Sequence, residues 1–254
     1  MTKQSTKKPT LGILTCGHSP EKIIEQHGRY ESLFEKLLGP DNFIYQSYAV
    51  VDGVFPASVN DADAWLITGS KHGAYESLPW IAPLEDFIRE AFSIEAPMVG
   101  ICFGHQILAQ ALGGKVEKYS GGWVVGTQEY QLDSSDLDGT PAGESAGETD
   151  VMNAWHQDQV MVLPENARAI GSSENCQYAA IAYGDHAVSL QPHPEFENDY
   201  VEALLRERGN SLPAANREQA KGSLGRNLTN KRIANWLVAV LAGNHYPNGP
   251  KNLN

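Results

Sequence analysis

Cysteine is scarce in this chain, and its scarcity excludes several classes of protein. The 254 residues include 3 cysteines, Cys16, Cys102 and Cys176, and their spacing matches no metal-binding motif. So small and odd a number argues against a fold held together by disulfides. Cys16 is expected in the core and Cys176 in a polar loop. We therefore expect reduced thiols, a cytoplasmic location, no metal site and no cofactor.

The chain also has few basic residues and no long apolar runs. The 19 Lys and Arg are outnumbered by 31 Asp and Glu, and the net charge of −12 argues against a nucleic acid as partner. No apolar run approaches the ~20 residues that a membrane-spanning helix needs. The chain does not open with the pattern of a signal peptide. These absences exclude nucleic acid and membrane as expected partners and leave a small-molecule substrate.

Apolar runs of strand length alternate with helical patterns in the first part of the chain. The runs lie at 11–15, 43–51, 64–68 and 98–101, and the helical patterns at 21–38 and 82–92. Strands buried on both faces have such continuous apolar sequences. The alternation predicts an α/β fold of three layers, a doubly wound, mostly parallel sheet with ligands at the carboxyl ends of its strands.

The character of the sequence changes after residue 114. Shorter strands, often antiparallel, are predicted at 123–132, 150–154, 168–172 and 179–183, and the acidic, glycine-rich segment 133–149 is interpreted as an exposed loop or, alternatively, a substrate lid. A polar stretch at 206–224 precedes an apolar stripe at 233–241 with the spacing of a docked helix. We predict a flexible tail at 1–9, one domain at 10–204 and a helical extension with a tail at 205–254.

The most informative segment is PMVGICFGHQ at residues 97–106. An apolar strand-like run passes through Gly100, Cys102 and Gly104 directly into a helical pattern. This is the cysteine version of the G-x-S-x-G nucleophile elbow, in which flanking glycines prevent collisions at a sharp, strained turn. The start of the following helix favours a thiolate, and the N–H of Phe103 is placed to bind an oxyanion. The alternative is an ordinary strand-to-helix turn with a buried cysteine.

A second segment supplies a candidate base. A short strand at 187–191 is followed by Pro192, His193, Pro194 and Glu195. A nucleophilic thiolate needs a base, and the base needs a group that orients it. Residues two apart in extended backbone project to the same side, and the prolines keep the segment out of a helix. Taken alone, the segment is more typical of a surface loop. With the elbow cysteine, it predicts His193 as base and Glu195 as orienting group.

Four segments together resemble class I glutamine amidotransferase domains: LITGSKHG, GICFGHQ, WHQDQVMVLPENA and QPHPEF, in the family's order. The resemblance extends over about residues 11–202. The stretches DGVFPASVNDADAWLITGS and GICFGHQILAQALGGKV are especially similar to stand-alone members, which include the plant γ-glutamyl peptidases. The resemblance implies the flavodoxin-like α/β fold of that family and a Cys-His-Glu triad, here Cys102, His193 and Glu195.

The resemblance also implies residues that surround the substrate. Gly69 and Ser70 would supply backbone N–H groups beside the oxyanion, together with the N–H of Phe103. Gln106 follows the nucleophile by about one helical turn and would contact the substrate. Residues 121–123 would lie near the amino-acid end of glutamine.

Three further histidines have two interpretations each. His156 and Asp158, in the WHQDQV segment, are placed near the substrate pocket by the resemblance. Alternatively, Asp158 caps a turn before the run at 160–163. His105 lies on the elbow helix, where it could approach the thiolate or, alternatively, be a packed or solvent-facing histidine. His18 follows the first strand and either borders the pocket or lies in a loop.

The implied chemistry is attack of the thiolate on a γ-carbonyl, formation of a γ-glutamyl thioester, and release of glutamate by water. The leaving group stays open. It is ammonia, hydrolysed from glutamine or delivered to a separate synthetase chain, or it is the amino acid or peptide of a γ-glutamyl compound. No G-x-x-x-x-G-K-[ST] nucleotide-binding loop occurs, which favours a stand-alone hydrolase.

Two hypotheses of a different kind are compatible with the same architecture. One is a non-catalytic binding module on this fold, which the presence of Cys102, His193 and Glu195 disfavours. The second is a member of the cysteine-dependent protease and deglycase-like relatives of the family. Those relatives have histidine directly after the elbow cysteine, where this chain has Phe103.

Overall fold

The computed structural model describes residues 8–133 and 149–243. The predicted N-terminal tail, the predicted loop at 133–149 and the end of the predicted C-terminal tail lie almost entirely outside the described residues. Secondary-structure elements are numbered below in chain order.

Five parallel strands form one half of a nine-stranded sheet. They are β1 (Thr10–Leu14), β2 (Ile44–Tyr48), β3 (Ala64–Ile67), β4 (Met98–Ile101) and β11 (Ala187–Leu190). Their order is β2-β1-β3-β4-β11, with every neighbouring pair parallel. This is the flavodoxin-like strand order, so the structure confirms the predicted doubly wound α/β fold.

Four antiparallel strands extend the sheet beyond β11. They are β6 (Val124–Leu132), β7 (Asp150–His156), β9 (Ala167–Ser173) and β10 (Cys176–Tyr183), and they continue the sheet in the order β10-β9-β6-β7. A separate two-stranded sheet pairs β5 (Lys115–Lys118) with β8 (Asp158–Val162). The change from parallel to antiparallel pairing follows the predicted change of pattern after residue 114.

The helices cover both faces of the sheet. They are α1 (Glu21–His27), α2 (Tyr30–Leu38), α3 (Ile81–Ser93), α4 (Phe103–Ala111), α5 (Asn198–Arg208), α6 (Ala214–Ser223) and α7 (Asn230–Leu241). Consecutive side chains of β3 point to opposite faces of the sheet. Leu66 belongs to the hydrophobic core under α1, α2, α5 and α7. Trp65 and Ile67 belong to the core under α3 and α4. None of the described helices is both long and apolar enough to cross a membrane.

Two predicted elements are shorter than their sequence patterns indicate. The helix expected at 21–38 is divided in two because Gly28, at φ 85°, ends α1 and donates its N–H to Ile24 O. The strand expected at 43–51 ends at Tyr48 and continues into a 3₁₀ turn, Val50–Asp52. The division of the first helix matters for the site, because it places Tyr30 at the start of α2.

One further prediction is wrong, and one segment contains a helix that its sequence pattern does not show. Cys176 is a buried residue at the start of β10 and does not lie in a polar loop. The polar stretch at 206–224 contains the end of α5 and the whole of α6. Helix α6 buries only Ala220, so its sequence lacks the apolar stripe from which a helix can be recognised. Cys16 is buried in the core as predicted.

Candidate active site

Cys102 lies on a strained turn between β4 and α4. Its φ of 54° and ψ of −102° make it, with Glu95, one of two non-glycine residues with positive φ in the described part of the chain. A β-carbon at Gly104 would overlap the backbone carbonyl of Ile67, and one at Gly100 would overlap the backbone of Gly104. Only glycine therefore permits this turn, which holds the sulfur at the carboxyl end of β4.

Backbone hydrogen bonds fix the two sides of the site relative to one another. The N–H of Cys102 donates to Leu190 O at 2.8 Å, directly across from the end of β11. Three residues beyond Leu190, the N–H of His193 donates to Asn153 O in β7 at 2.8 Å. Cys102 and His193 are consequently positioned by adjacent strands of the same sheet.

His193 and Glu195 form a buried pair. Nδ1–H of His193 donates to Glu195 Oε1 at 2.7 Å, and the two residues are only 3% and 5% exposed. The ring of Phe196 stacks on the imidazole at 4.0 Å between ring centroids and an interplanar angle of 3°. The carboxylate and the stacked ring together restrict the imidazole to one orientation.

The surrounding charges favour a protonated His193. Burial by itself lowers the pKa of His193, but the negative charges of Glu195 and Cys102, and the hydrogen bonds to both, outweigh it and raise the pKa to about 10. An imidazolium between a carboxylate and a sulfur stabilises a thiolate. The arrangement is therefore capable of nucleophilic chemistry at neutral pH.

Tyr30 is a member of the site that the sequence patterns do not reveal. Its hydroxyl donates to Glu195 Oε1 at 3.0 Å and lies 3.5 Å from His193 Nδ1. Burial, followed by the charges of Glu195 and Cys102, raises the pKa of Tyr30 well above its ordinary value, so it remains a donor. A β-carbon at Gly69 would overlap this hydroxyl and come within 3.1 Å of His193 Cε1. Tyr30 and Gly69 thus complete the surroundings of the pair.

A cavity of about 630 Å³ opens above Cys102. The predicted residues Gly69, Ser70, Gln106, His156 and His193 all line it. Phe103 and Glu195 do not line the cavity. Phe103 begins α4, whose first N–H groups have no acceptor within the helix, and its side chain is buried against Trp80. The structure therefore brings most of the predicted site residues together around one space.

Gln106 and His156 differ in whether their polar side-chain atoms form hydrogen bonds within the protein. Nε2 of Gln106 donates to Asp158 O at 2.8 Å and to Gln191 Oε1 at 3.2 Å, so this side chain is held by the protein itself. Both ring nitrogens of His156 are buried without a hydrogen-bond partner among the described residues. Burial, followed by the charge of His193, lowers the pKa of His156 to about 3, so its ring is neutral.

The remaining candidates divide between cavity and core. His105 is fully buried, with Nδ1 2.8 Å from Ser189 Oγ, and belongs to the core as one of its two interpretations had it. His18 lines the rim of the cavity and pairs with Asp52 at 2.9 Å. Asp158 begins β8 and accepts from the Tyr75 hydroxyl at 3.1 Å, so it does not cap a turn. In the described ranges, no cluster of His, Cys, Asp and Glu is arranged to hold a metal ion.

The buried histidines predict a loss of stability in acid. Burial, followed by the charge of His156, lowers the pKa of His105 from 6.5 to about 3. The unfolded chain therefore binds a proton below pH 6.5 that the folded chain excludes, and the free energy of unfolding decreases as the pH falls. The expected loss is about 2 kcal/mol for this histidine between pH 8 and pH 5.

Urea unfolding at several pH values tests this expectation. His105→Gln should reduce the dependence of the unfolding free energy on pH between 6.5 and 4, whatever its effect at pH 8. The matched control is His18→Gln, because the His18 side chain is 54% exposed. Equal pH dependence in the wild type and His105→Gln would show that His105 is protonated in the folded state.

Comparisons with known proteins show which family the chain resembles. The family model "Glutamine amidotransferase class-I" matches residues 59–206. The chain is 29% identical over 202 residues to "Gamma-glutamyl peptidase 3" of Arabidopsis thaliana, covering 78% of this chain and 80% of that protein. It is 28% identical over 174 residues to a glutamine-hydrolysing GMP synthase subunit of Halobacterium salinarum, covering 68% and 87%.

A solved structure extends the likeness to almost the whole chain. The glutamine amido transferase of Methylobacillus flagellatus superimposes with a TM-score of 0.73 at 20% identity, covering 98% of this chain and 99% of that one. At this identity the superposition establishes the fold, and the family model establishes the relationship by sequence. The chain is an enzyme that belongs to the class I glutamine amidotransferase family.

Proposed function

We propose that this enzyme hydrolyses γ-glutamyl amide bonds, with Cys102 as nucleophile, His193 as acid and base, and Glu195 as the group that orients His193. The observation that carries the proposal is the buried pair of His193 and Glu195, 2.7 Å between Nδ1 and Oε1, beside a cysteine on a strained elbow. We assign the catalytic domain to residues 10–204 and the activity to the cytoplasm, which the three free thiols support.

The proposed reaction has two halves. The thiolate of Cys102 attacks the γ-carbonyl carbon, and backbone N–H groups of Phe103 and of the Gly69-Ser70 turn bind the oxyanion. His193 gives its proton to the leaving nitrogen as the C–N bond breaks, which leaves a γ-glutamyl thioester. His193 then takes a proton from water, the hydroxide attacks the thioester carbon, and glutamate and the thiolate are released.

The size of the cavity favours a substrate larger than glutamine. A volume of about 630 Å³ lies in the range of pockets that hold drug-sized ligands, whereas glutamine is much smaller. The likeness to "Gamma-glutamyl peptidase 3" supports the same preference. We therefore propose γ-glutamyl peptides as the main substrates, with His156 and Gln106 contacting the γ-glutamyl part. The free ring nitrogens of His156 make it the better placed of the two for this role.

A second candidate function is hydrolysis of glutamine to supply ammonia to a separate synthetase chain. The likeness to the glutamine-hydrolysing GMP synthase subunit of Halobacterium salinarum favours it. Such a subunit reaches full activity only when the partner completes its site.

Glutamate release by the purified chain distinguishes the two candidates. Glutamine and a series of γ-glutamyl dipeptides are assayed under the same conditions, with Cys102→Ala as the blank. We expect dipeptide hydrolysis to exceed glutamine hydrolysis in kcat/KM. Weak activity on glutamine with none on the dipeptides would assign the ammonia-supplying function, whose full activity needs the partner, and activity on neither substrate would contradict hydrolysis by the chain alone.

Removal of the Tyr30 hydroxyl tests how the pair is held. Tyr30→Phe retains the ring but removes a donor to the Glu195 carboxylate, so kcat should fall roughly tenfold, as expected for one hydrogen bond to a charged group. The matched control is Tyr45→Phe, because that hydroxyl donates to Gly39 O away from the cavity. Unchanged kinetics in Tyr30→Phe, or equal losses in both variants, would exclude the positioning role.

A further inference from the structure

One buried residue holds the turn that carries the proposed base. The turn comprises residues 193–198, between the end of β11 and the first residue of α5. The carbonyl of Asn153, in β7, accepts the N–H of His193 at 2.8 Å. Nδ2 of the same residue donates to Phe196 O at 3.0 Å and to Asn198 Oδ1 at 3.2 Å. Asn153 thus binds the turn at three points, on both sides of the orienting carboxylate.

The orientation of the Asn153 amide is fixed by its partners. Phe196 O can only accept a hydrogen bond, so the nitrogen of the amide must face it. Asn153 Oδ1 then accepts from the hydroxyl of Thr127, directly opposite in β6, at 2.9 Å. Both polar atoms of the side chain have partners, although the residue is 0% exposed. Because an apolar residue would avoid the cost of burying an amide, the gain from Asn153 lies in the geometry that these bonds fix.

That geometry reaches the imidazole through Phe196. The Phe196 ring stacks on His193 at 4.0 Å between centroids, and the residue before it, Glu195, accepts from His193 Nδ1–H. A shift of the Phe196 backbone would therefore move both groups that orient the imidazole. The bond from Asn153 to the Phe196 carbonyl opposes such a shift.

Strand β7 is itself anchored at the edge of the sheet. Thr229 donates its N–H to Val151 O at 2.9 Å, and its Oγ1 accepts the N–H of Val151 at 3.0 Å. Arg232 donates to both carboxylate oxygens of the buried Asp150 at 2.6 Å. Thr229 and Arg232 follow the family match, which ends at residue 206. The C-terminal part of the chain thus supports the strand that holds the turn.

We propose that Asn153 is a positioning residue for the base: it fixes the turn at 193–198 so that the imidazole stays between Glu195 and Cys102. In the part of the chain that the structure describes, Asn153 does not line the cavity, so it acts on the reaction only through the turn. This inference rests on the proposed hydrolysis, in which His193 transfers the proton.

Two variants weaken these contacts and leave the backbone hydrogen bond to His193 in place. Asn153→Leu has nearly the same shape and removes the amide, whereas Thr127→Val removes the hydroxyl that fixes the amide. Thr127→Ser keeps a hydroxyl and is the matched control. A displacement of about 1 Å is enough to lower the rate about 100-fold. We expect kcat to fall about 10- to 100-fold in Asn153→Leu and about tenfold in Thr127→Val, with KM for a γ-glutamyl dipeptide nearly unchanged.

Alkylation of Cys102 by iodoacetamide tests the same contacts without turnover. The thiolate is the reactive form, so the rate at pH 6 divided by the rate at pH 9 reports how well the imidazolium stabilises it. This ratio should fall about tenfold in Asn153→Leu and Thr127→Val and stay at the wild-type value in Thr127→Ser. None of these variants alters the titratable groups that act on His193, which are Glu195, Cys102, Tyr30 and His156.

A merely structural role for Asn153 would lower the free energy of unfolding and leave the alkylation ratio of the folded protein unchanged. An unchanged ratio in both Asn153→Leu and Thr127→Val therefore overturns the positioning role, whatever their kcat. Equal decreases in Thr127→Val and Thr127→Ser overturn it as well. A wild type that hydrolyses no γ-glutamyl substrate contradicts the proposed function instead, and the alkylation ratios still decide whether Asn153 positions His193.

Discussion

Replacement of Cys102 by alanine is expected to lower kcat for glutamate release by at least about four orders of magnitude. The loss is so large because the alanine variant cannot form the thioester, and only substrate binding and the oxyanion contacts remain. His193→Gln should cost about as much, since the thiolate then lacks its imidazolium and the leaving nitrogen lacks its proton. Glu195→Gln should cost less, because Glu195 orients the base and does not transfer the proton.

Labelling with an electrophilic glutamine analogue checks the same assignment without turnover. The label should appear on Cys102 in the wild type, and it should be lost or much slower in His193→Gln. Cys16 and Cys176 are internal controls: burial raises the pKa of both thiols, that of Cys176 to about 12, so neither is a thiolate at neutral pH. A label on either of them, or full activity of Cys102→Ala, would make the nucleophile assignment wrong.

Gly104→Ala is expected to destabilise the protein by about 3 kcal/mol or more. The new methyl group would overlap the backbone carbonyl of Ile67. The backbones of Gly104 and Ile67 are both packed and have no room to shift. Any relief of this contact moves the start of α4 away from β3 and displaces Cys102 with it. Activity should therefore decrease even at temperatures where the variant remains folded.

Urea unfolding and kcat of the same preparations measure the two effects. The matched control is Gly222→Ala in α6, where an added methyl group meets no atom within 4 Å and the helix should gain about 0.5–1 kcal/mol. If Gly104→Ala were as stable and as active as the wild type, close packing would not be the reason for glycine at the elbow.

The site residues that can be predicted from the sequence are those whose geometry is set by residues adjacent in the chain. Gly100, Cys102 and Gly104 occupy one turn, and His193 and Glu195 are two residues apart, so their geometry follows from a few adjacent residues. Tyr30 contacts Glu195 across 165 positions of the chain. It lies in a helical pattern that is uninterrupted except for Gly28, and a single glycine does not reveal which side chain the resulting break directs into the site.

The features of the fold that the sequence patterns do not show have a related cause. Cys176 lies among polar residues in the sequence, but it is buried in the hydrophobic core on one face of the sheet, which its own sequence neighbours do not show. Helix α6 buries a single side chain, Ala220, so the apolar period that identifies helices is missing. Long apolar runs such as β3 and β4 were predictable because burial on both faces leaves no ambiguity in their composition.

The central position of β11 has a consequence for the newly made protein. The strand lies between β4 and β10, and the proposed nucleophile, Cys102, precedes the proposed base, His193, by about half of the proposed domain's length. During synthesis the elbow leaves the ribosome long before His193 does. Cys102 therefore remains without the neighbouring imidazole of His193 until β11 inserts between its neighbours, a non-local pairing that forms slowly. In the proposed mechanism, the thiol would become reactive only when the sheet is complete, and the nascent chain would be protected from premature alkylation or oxidation at Cys102.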